Sequence, residues 1–400
     1  VRRVAVLGCT GSVGRSTLAV LAEHPGRFQV SSLAAARDWR GLLEQARRFA
    51  VPRVALADVA AAAQLRAALG AQADIEVLAG AAGVVELARD AAADTVMAAI
   101  SGAAGLASTL AAAEAGKRVL LANKESAVMA GSLLIAAVRR GGATLIPIDS
   151  EHNAIFQCLP ATWRAGERVS GVQRLLLTAS GGPFLDWNDA RIAQATPEQA
   201  CAHPRWNMGR KISVDSASLM NKGLELIEAS VLFGMPPEDI GVLVHPQSIV
   251  HSLVEYADGS TLAQLAAPDM RTPIAQALAW PERVRSGVES LDLVQAGRLD
   301  FQAPDTARFP CLRLALAAAR AGGLAPVWLN AADEVAVQAF LDRQLNFGDI
   351  PAVIEGVMAA GVDGQVTDLD TVLVADAQAR LRTREAIARL ARRRAGGAGA

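Results

Sequence analysis

Asp149 and Glu151 stand two residues apart, with Ser150 between them, just past the apolar run Thr144–Ile148. On extended backbone such a pair points the same way, and two crowded carboxylates repel unless a cation lies between them. A hard divalent ion, Mg2+ or Mn2+, would settle that and keep open positions for substrate oxygens. The same residues also read as a helix N-cap followed by a first-turn acid, and the pair alone does not choose. A second cluster favours the metal. Asp215-Ser-Ala-Ser-Leu-Met-Asn-Lys-Gly-Leu-Glu225 is expected to open a helix, with Ser216 near its N-terminus, where anions are favoured. Asn221, Lys222 and Glu225 then share one face at i, i+3 and i+4 spacing. Serine, asparagine and lysine suit a phosphate, and Glu225 would add a third metal oxygen. A surface ion pair is the ordinary fate of Lys222 and Glu225, but asparagine and glycine inside a helix cost stability and call for another reason.

Two further segments carry more polarity than scaffolding needs. Thr178–Phe184 is a glycine turn with hydroxyls after a strand, a plausible anion nest. His203–Lys211 is basic, aromatic and glycine-containing, and reads as a lid over a bound anion at about residues 200–210. His245 and His251 flank the strand Ile249–Tyr256, and His245 fits a satisfied core histidine better than a catalytic one.

These side chains need elements to hold them. Strand-like runs at Val4–Leu7, Gln29–Leu33, Val54–Leu56, Val96–Ala99, Val119–Ala122 and Thr144–Ile148 alternate with alanine-rich helical stretches. That alternation predicts a doubly wound parallel sheet over residues 1–149, a Rossmann-like nucleotide-binding domain. Its first strand runs into Gly8-Cys-Thr-Gly-Ser-Val-Gly14, with a glycine at every third position to turn the backbone and admit a pyrophosphate at a helix N-terminus. After the second strand comes Ala36-Arg37-Asp38. Arg37 favours NADPH through its 2′-phosphate, whereas Asp38 could serve a ribose hydroxyl. A Tyr-x-x-x-Lys reductase is excluded, because Tyr256 is the one tyrosine and Ser260 stands four residues on.

Residues 150–280 read as an α+β catalytic domain with antiparallel strands, including a hairpin at Asp258-Gly259. Residues 281–310 read as a linker, 311–394 as a C-terminal helical domain and 395–400 as a disordered tail. The fold class is thus α/β, with an N-terminal Rossmann-like domain, a central α+β domain and a helical C-terminal domain. The 400 residues allow this many domains, and the net charge of −1 gives no pull toward nucleic acid. No apolar run is long enough to span a membrane, and the strand starting at Val4 leaves no expected leader peptide. The four scattered cysteines predict neither disulfides nor a zinc cluster, so a reducing cytoplasm and oxygen-ligated metal are expected. The arginine-rich stretch 380–394 interleaves Leu381, Ile387 and Leu390, and reads as an amphipathic helix.

Taken in order, Gly8–Gly14, Leu121–Ser126, Pro147–Phe156, Thr178–Phe184, Trp206–Glu225, His245–His251 and Pro268–Pro273 resemble one family, the 1-deoxy-D-xylulose 5-phosphate reductoisomerases. The resemblance implies a metal-assisted rearrangement of the carbon skeleton followed by NADPH reduction to 2-C-methyl-D-erythritol 4-phosphate, in non-mevalonate isoprenoid precursor biosynthesis. It implies Asp149, Glu151 and Glu225 as ligands of Mn2+ or Mg2+, with Co2+ as another option. Ser180, Ser216, Asn221, Lys222 and His203 are implied on the phosphate side, and Lys124 and Ser150 as substrate contacts. Thr10, Gly11, Ser12, Val13, Arg37, Asn123, Glu125 and Gly209 are implied as NADPH contacts. Ala36 and Asp38 belong to that set by position, although they replace the family's usual glycine and asparagine. A homodimer is a further implication. Two rival readings predict different behaviour. A plain NADP dehydrogenase needs no metal, and a nucleotide sensor with a basic effector tail survives loss of Glu225.

Overall fold

Apolar runs without alternation mark strands buried on both faces. β1 (Arg2–Leu7), β2 (Phe28–Ala35), β3 (Arg53–Leu56), β4 (Glu76–Ala79), β5 (Thr95–Ala98), β6 (Arg118–Leu121) and β7 (Thr144–Pro147) make one parallel sheet in the order β4-β3-β2-β1-β5-β6-β7. Between them run α1 (Ser12–Glu23), α2 (Trp39–Arg48), α3 (Val59–Leu69), α4 (Gly80–Arg89), α5 (Leu106–Glu114) and α6 (Lys124–Gly141), and α7 (Ser150–Cys158) follows β7. The strand order reverses between β1 and β5, and the glycine loop leaves β1 at that switch point, where ligands of open α/β sheets bind. β4 escapes sequence reading because it is a four-residue edge strand with one buried side chain, Val77.

The computed structural model describes residues 1–70, 74–206, 208–360 and 362–397. The chain divides into two units: Val1–Ala127, Ser132–Val169 and Asp269–Leu291 form the first, and Val128–Gly131, Ser170–Pro268 and Asp292–Ala400 the second.

The second unit contains β8 (Val172–Ala179), α8 (Asp189–Ala193), α9 (Pro197–Cys201), α10 (Arg210–Ser218), α11 (Met220–Phe233), β9 (Ile240–Val244), β10 (Val250–Tyr256) and β11 (Thr261–Leu265). Its sheet has the order β11-β10-β8-β9. β10 runs antiparallel to both neighbours, and the hairpin turns at Gly259, whose φ is +87°. β9, however, runs parallel to β8, which corrects the expectation of antiparallel strands. Helices α8–α11 lie between these two strands in the chain, and a helical crossover delivers a parallel neighbour. Next comes α12 (Arg271–Ala279), in the first unit, then α13 (Leu293–Ala296), α14 (Pro310–Ala321), α15 (Ala325–Leu341), α16 (Ile350–Ala359) and α17 (Leu369–Gly397) in the second.

This division departs from the expected boundaries at 149/150 and 281–310. α7 and Asp269–Leu291 belong with the parallel sheet because polar side chains tie them to it. Asn153 of α7 bonds Gln276 of α12 at 2.9 Å, and Arg118 of β6 donates to the Trp280 carbonyl at 2.6 Å. Of the tail expected at 395–400, α17 includes residues as far as Gly397, and 398–400 lie outside the described residues. Among the described residues no helix is long and apolar enough to cross a membrane.

Candidate active site

In the first unit, the loop after β1 is shaped by glycines that nothing else could replace. Gly8 has φ +91°, and a Cβ there would sit 2.3 Å from the Ala99 carbonyl oxygen. A Cβ on Gly14 would sit 2.2 Å from the Gly8 oxygen. The Gly11 N–H closes the turn on that same oxygen at 3.0 Å. Gly11 is the N-cap of α1 and provides no side-chain cap, so the first-turn amides beyond Thr10, Gly11, Ser12 and Val13 suit an anionic group.

At the end of β2 the two readings of Arg37 and Asp38 separate. Asp38 caps α2, its carboxylate accepting from Gly41 N–H at 2.9 Å. Arg37 is 85% exposed and reaches Asp58 at 3.2 Å, and Ala36 beside it is exposed. The arginine is therefore the available recognition group. Asn123, at the end of β6, is buried. Its amide donates to the Ile100 and Gly102 carbonyls and its oxygen caps α6 through Ser126 N–H, so a nucleotide would meet its main chain. Lys124 and Glu125 occupy the first turn of α6 and are half-buried.

β7 ends at Pro147 and α7 begins at Ser150, so Glu151 lies in a first helical turn rather than on extended backbone. Even so, carboxylate oxygens of Asp149 and Glu151 come within 4.8 Å of each other. Asp149 holds the N-cap position without capping α7. Its carboxylate instead lies 2.5 Å from the Lys124 ammonium. Ser150 Oγ donates to Glu151 at 2.6 Å. The bland alternative, a capping aspartate, is thereby set aside.

In the second unit, β8 ends in Ser180-Gly181-Gly182. A Cβ on Gly182 would meet the Ser216 carbonyl oxygen at 2.7 Å, so this glycine lets the turn lie against α10. His203 Nδ1 accepts the N–H groups of Arg205 and Trp206 at 3.2 and 2.9 Å. That places the ring proton on Nε2, which donates to Ser180 Oγ at 2.9 Å. Asn207 of the same loop lies outside the described residues. Gly209 is the exposed N-cap of α10.

The segment expected to open one helix is instead a junction of two. α10 ends at Ser218, Leu219 takes φ +60°, and α11 starts at Met220. Ser216 thus sits in the last turn of α10, and Asn221 and Lys222 in the first turn of α11. The Ser218 hydroxyl accepts Met220 N–H and breaks the helix there. Glu225 and Lys222 are buried and paired, and Asn221 Nδ2 donates to Glu225 at 2.5 Å. Gly223 has a packing reason: a Cβ there would lie 2.4 Å from that of Ala315 on α14.

His245 is wholly buried, bonded to the Asp300 carbonyl at 2.8 Å and stacked on Phe301. It is a core histidine, as its sequence context suggested. Burial pushes the Cys9 thiol up to about 12 and Cys158 to about 11, so neither is a thiolate near neutrality. Sequence reading missed one cluster, Lys211 with Asp215 and Asp333. Only the i, i+4 spacing of the first two was visible, and Asp333 arrives from α15.

Three stretches match family models: residues 4–131 (1-deoxy-D-xylulose 5-phosphate reductoisomerase), 145–233 (1-deoxy-D-xylulose 5-phosphate reductoisomerase C-terminal domain) and 265–382 (DXP reductoisomerase C-terminal domain). The 1-deoxy-D-xylulose 5-phosphate reductoisomerase of Pseudomonas putida (strain W619) is 58% identical over 386 residues, 96% of this chain and 98% of that one. The corresponding protein of Methylococcus capsulatus (strain ATCC 33009 / NCIMB 11132 / Bath) is 57% identical over 94% of this chain and 96% of its own. A crystal structure of DOX-P reductoisomerase with NADPH, fosmidomycin and magnesium superposes with a TM-score of 0.93 at 47% identity, covering 98% of this chain and 99% of that one. The Zymomonas mobilis reductoisomerase with NADPH gives 0.90 at 48% identity, covering 96% and 99%. This chain belongs to the 1-deoxy-D-xylulose 5-phosphate reductoisomerase family.

Proposed function

We propose that the chain converts 1-deoxy-D-xylulose 5-phosphate to 2-C-methyl-D-erythritol 4-phosphate as an NADPH- and divalent-metal-dependent reductoisomerase. The observation that carries this reading is one sheet with two sites at its carboxyl edge: a glycine cradle too tight for any side chain, and an aspartate–glutamate pair already drawing a cationic side chain. A bound divalent ion supplies Lewis acidity toward the substrate's carbonyl and hydroxyl oxygens, and bound NADPH supplies the hydride. Asp149, Glu151 and Glu225 are the ligands we assign to that ion, an all-oxygen set suited to Mg2+ or Mn2+.

The remaining residues bind, orient and neutralise. The Lys124 ammonium, beside Asp149, stabilises negative charge developing on substrate oxygen, and Ser150 orients Glu151. Ser180, Ser216, Asn221 and Lys222 receive the phosphate, and the Nε2–H of His203 turns from Ser180 to a phosphate oxygen. Remote phosphate binding of this kind positions the reacting carbons. The loop at 200–210 acts as the lid. Thr10, Gly11, Ser12, Val13, Ala36, Arg37, Asp38, Asn123, Glu125 and Gly209 make up the nucleotide side, with Arg37 on the 2′-phosphate. Replacing Arg37 by Gln is expected to raise KM for NADPH about tenfold while leaving that for NADH nearly unchanged, as steady-state kinetics with both cofactors will show.

We also assign a homodimer and a cytoplasmic location. β11 is an edge strand with Leu262 47% exposed, a surface suited to pairing with a second copy. The four cysteines are free thiols, which fits a reducing compartment. Incubation with 1-deoxy-D-xylulose 5-phosphate, NADPH and Mg2+ or Mn2+ tests the function. The branched tetritol phosphate is the expected product, and chelator is expected to abolish its formation. NADPH oxidation without the branched product, undiminished by chelator, would overturn this reading in favour of a plain dehydrogenase.

A further inference from the structure

Lys211, Asp215 and Asp333 form a buried charge cluster to which the proposed reaction assigns no role. The Lys211 ammonium lies 2.6 Å from Asp215 Oδ2 and 2.8 Å from Asp333 Oδ2, and the two carboxylates are 2% and 0% exposed. Lys211 and Asp215 sit on α10, one turn apart, whereas Asp333 belongs to α15. Among the described residues Lys211 is the one cation within ion-pair reach of either acid.

One positive charge faces two carboxylates away from water, which disfavours ionising both. Burial first, then Asp333, raises the Asp215 carboxyl well above its usual range, and burial raises Asp333 as well. Among the described residues, the charged groups of the neighbouring elements are engaged as follows. Glu334 of α15 is held by Arg380 of α17, which also bonds Asp376. Glu198 of α9 is exposed on Arg343, and Lys222 and Glu225 of α11 pair with each other. The buried Cys311 thiol of α14 is pushed up and stays neutral.

The cluster has leverage on the site. α10 is a nine-residue rod bounded by Gly209 and the left-handed Leu219. Asp215 directly precedes Ser216, and Lys211 follows Gly209 by two residues, at the end of the loop that carries His203. A shift of α10 against α15 breaks the buried Lys211–Asp333 pair, while Lys211 and Asp215 travel together on α10. We propose that Lys211, Asp215 and Asp333 are positioning residues whose buried charge cluster, tied to α15 by the Lys211–Asp333 pair, seats α10, and with it Ser216 and the His203 loop, for the substrate phosphate. This rests on the reading of Ser216 and His203 as phosphate contacts.

The sign of the pH effect follows from the raised carboxyl. Its stabilising protonated form is fully present below the ordinary aspartate range and is lost as pH climbs through the raised value. Asp333→Asn replaces one titrating carboxyl with a neutral amide of the same shape. The wild-type holoenzyme is expected to show a KM for 1-deoxy-D-xylulose 5-phosphate that climbs as pH rises through the raised carboxyl value, with kcat holding steady. Asp333→Asn is expected to flatten that climb and to melt higher than wild type above the raised carboxyl value, the gap closing as pH falls. Lys211→Met is expected to raise the same KM about tenfold, with partial rescue by Lys211→Arg. Identical KM profiles for wild type and Asp333→Asn overturn the proposal, even if their melting curves differ, because the cluster is then structural only. An unchanged KM for 1-deoxy-D-xylulose 5-phosphate in Lys211→Met also overturns it. Ser216→Ala isolates the reading beneath: a normal KM there removes Ser216 from the phosphate site whatever Lys211→Met does.

Discussion

Glu225→Gln is expected to lower turnover about a thousandfold or more while NADPH still binds. A Lewis acid supplies several kcal/mol to a transition state that gathers charge on oxygen, and about 4 kcal/mol is already a thousandfold. Glutamine keeps the shape and one acceptor for Asn221 but removes the charge. Glu225 is wholly buried against Lys222, so the change also removes a charge that this ammonium is paired with, and the melting temperature is expected to drop. Glu151→Gln separates catalysis from stability. Glu151 is half-buried, with Ser150 as a neighbour that glutamine can still accept from, so turnover is expected to collapse at an almost unchanged melting temperature. NADPH titration by fluorescence, turnover and thermal melts on both variants make the check. Normal turnover in either removes that residue from the metal set.

Gly14→Ala is expected to weaken NADPH binding by about a hundredfold or more through steric displacement alone. The new Cβ would lie 2.2 Å from the Gly8 oxygen and 2.6 Å from Cys9 Cα, and these are backbone atoms that no side-chain rotation can clear. Either α1 retreats from the loop or the loop opens, and both take the first-turn amides away from a pyrophosphate. Overpacking of this kind costs about 1–3 kcal/mol, so the melting temperature is expected to fall as well. Gly26→Ala is the control, since a Cβ there meets nothing within 4 Å. Calorimetric titration with NADPH decides it, and wild-type affinity in Gly14→Ala would falsify the cradle.

Local patterns carried much of this molecule. The strands of the first sheet are near-continuous apolar runs, and their alternation with helices reads directly as a parallel sheet, because burial on both faces demands that composition. The glycine loop was legible for a similar reason: three glycines in seven residues after a first strand meet a steric need confined to that stretch. The carboxylates at 149 and 151 were equally visible.

Tertiary structure decided what depends on distant partners. The parallel course of β9 follows from a crossover spanning four helices, which no local period encodes. α12 joined the first unit through bonds from Arg118 and Asn153, more than a hundred residues away in the chain. Asp38 and Asn123 turned out to spend their side chains on helix caps, and Asp149, at a cap position, did not. The break at Leu219 moved Ser216 from a helix start to a helix end. The sequence alone determined which segments are buried and which residue types gather near strand ends, since both follow from short-range spacing. Only the folded chain settled which partner each polar group satisfies, because in a dry interior that choice is made by whatever donor or charge the rest of the chain brings within 3 Å or so.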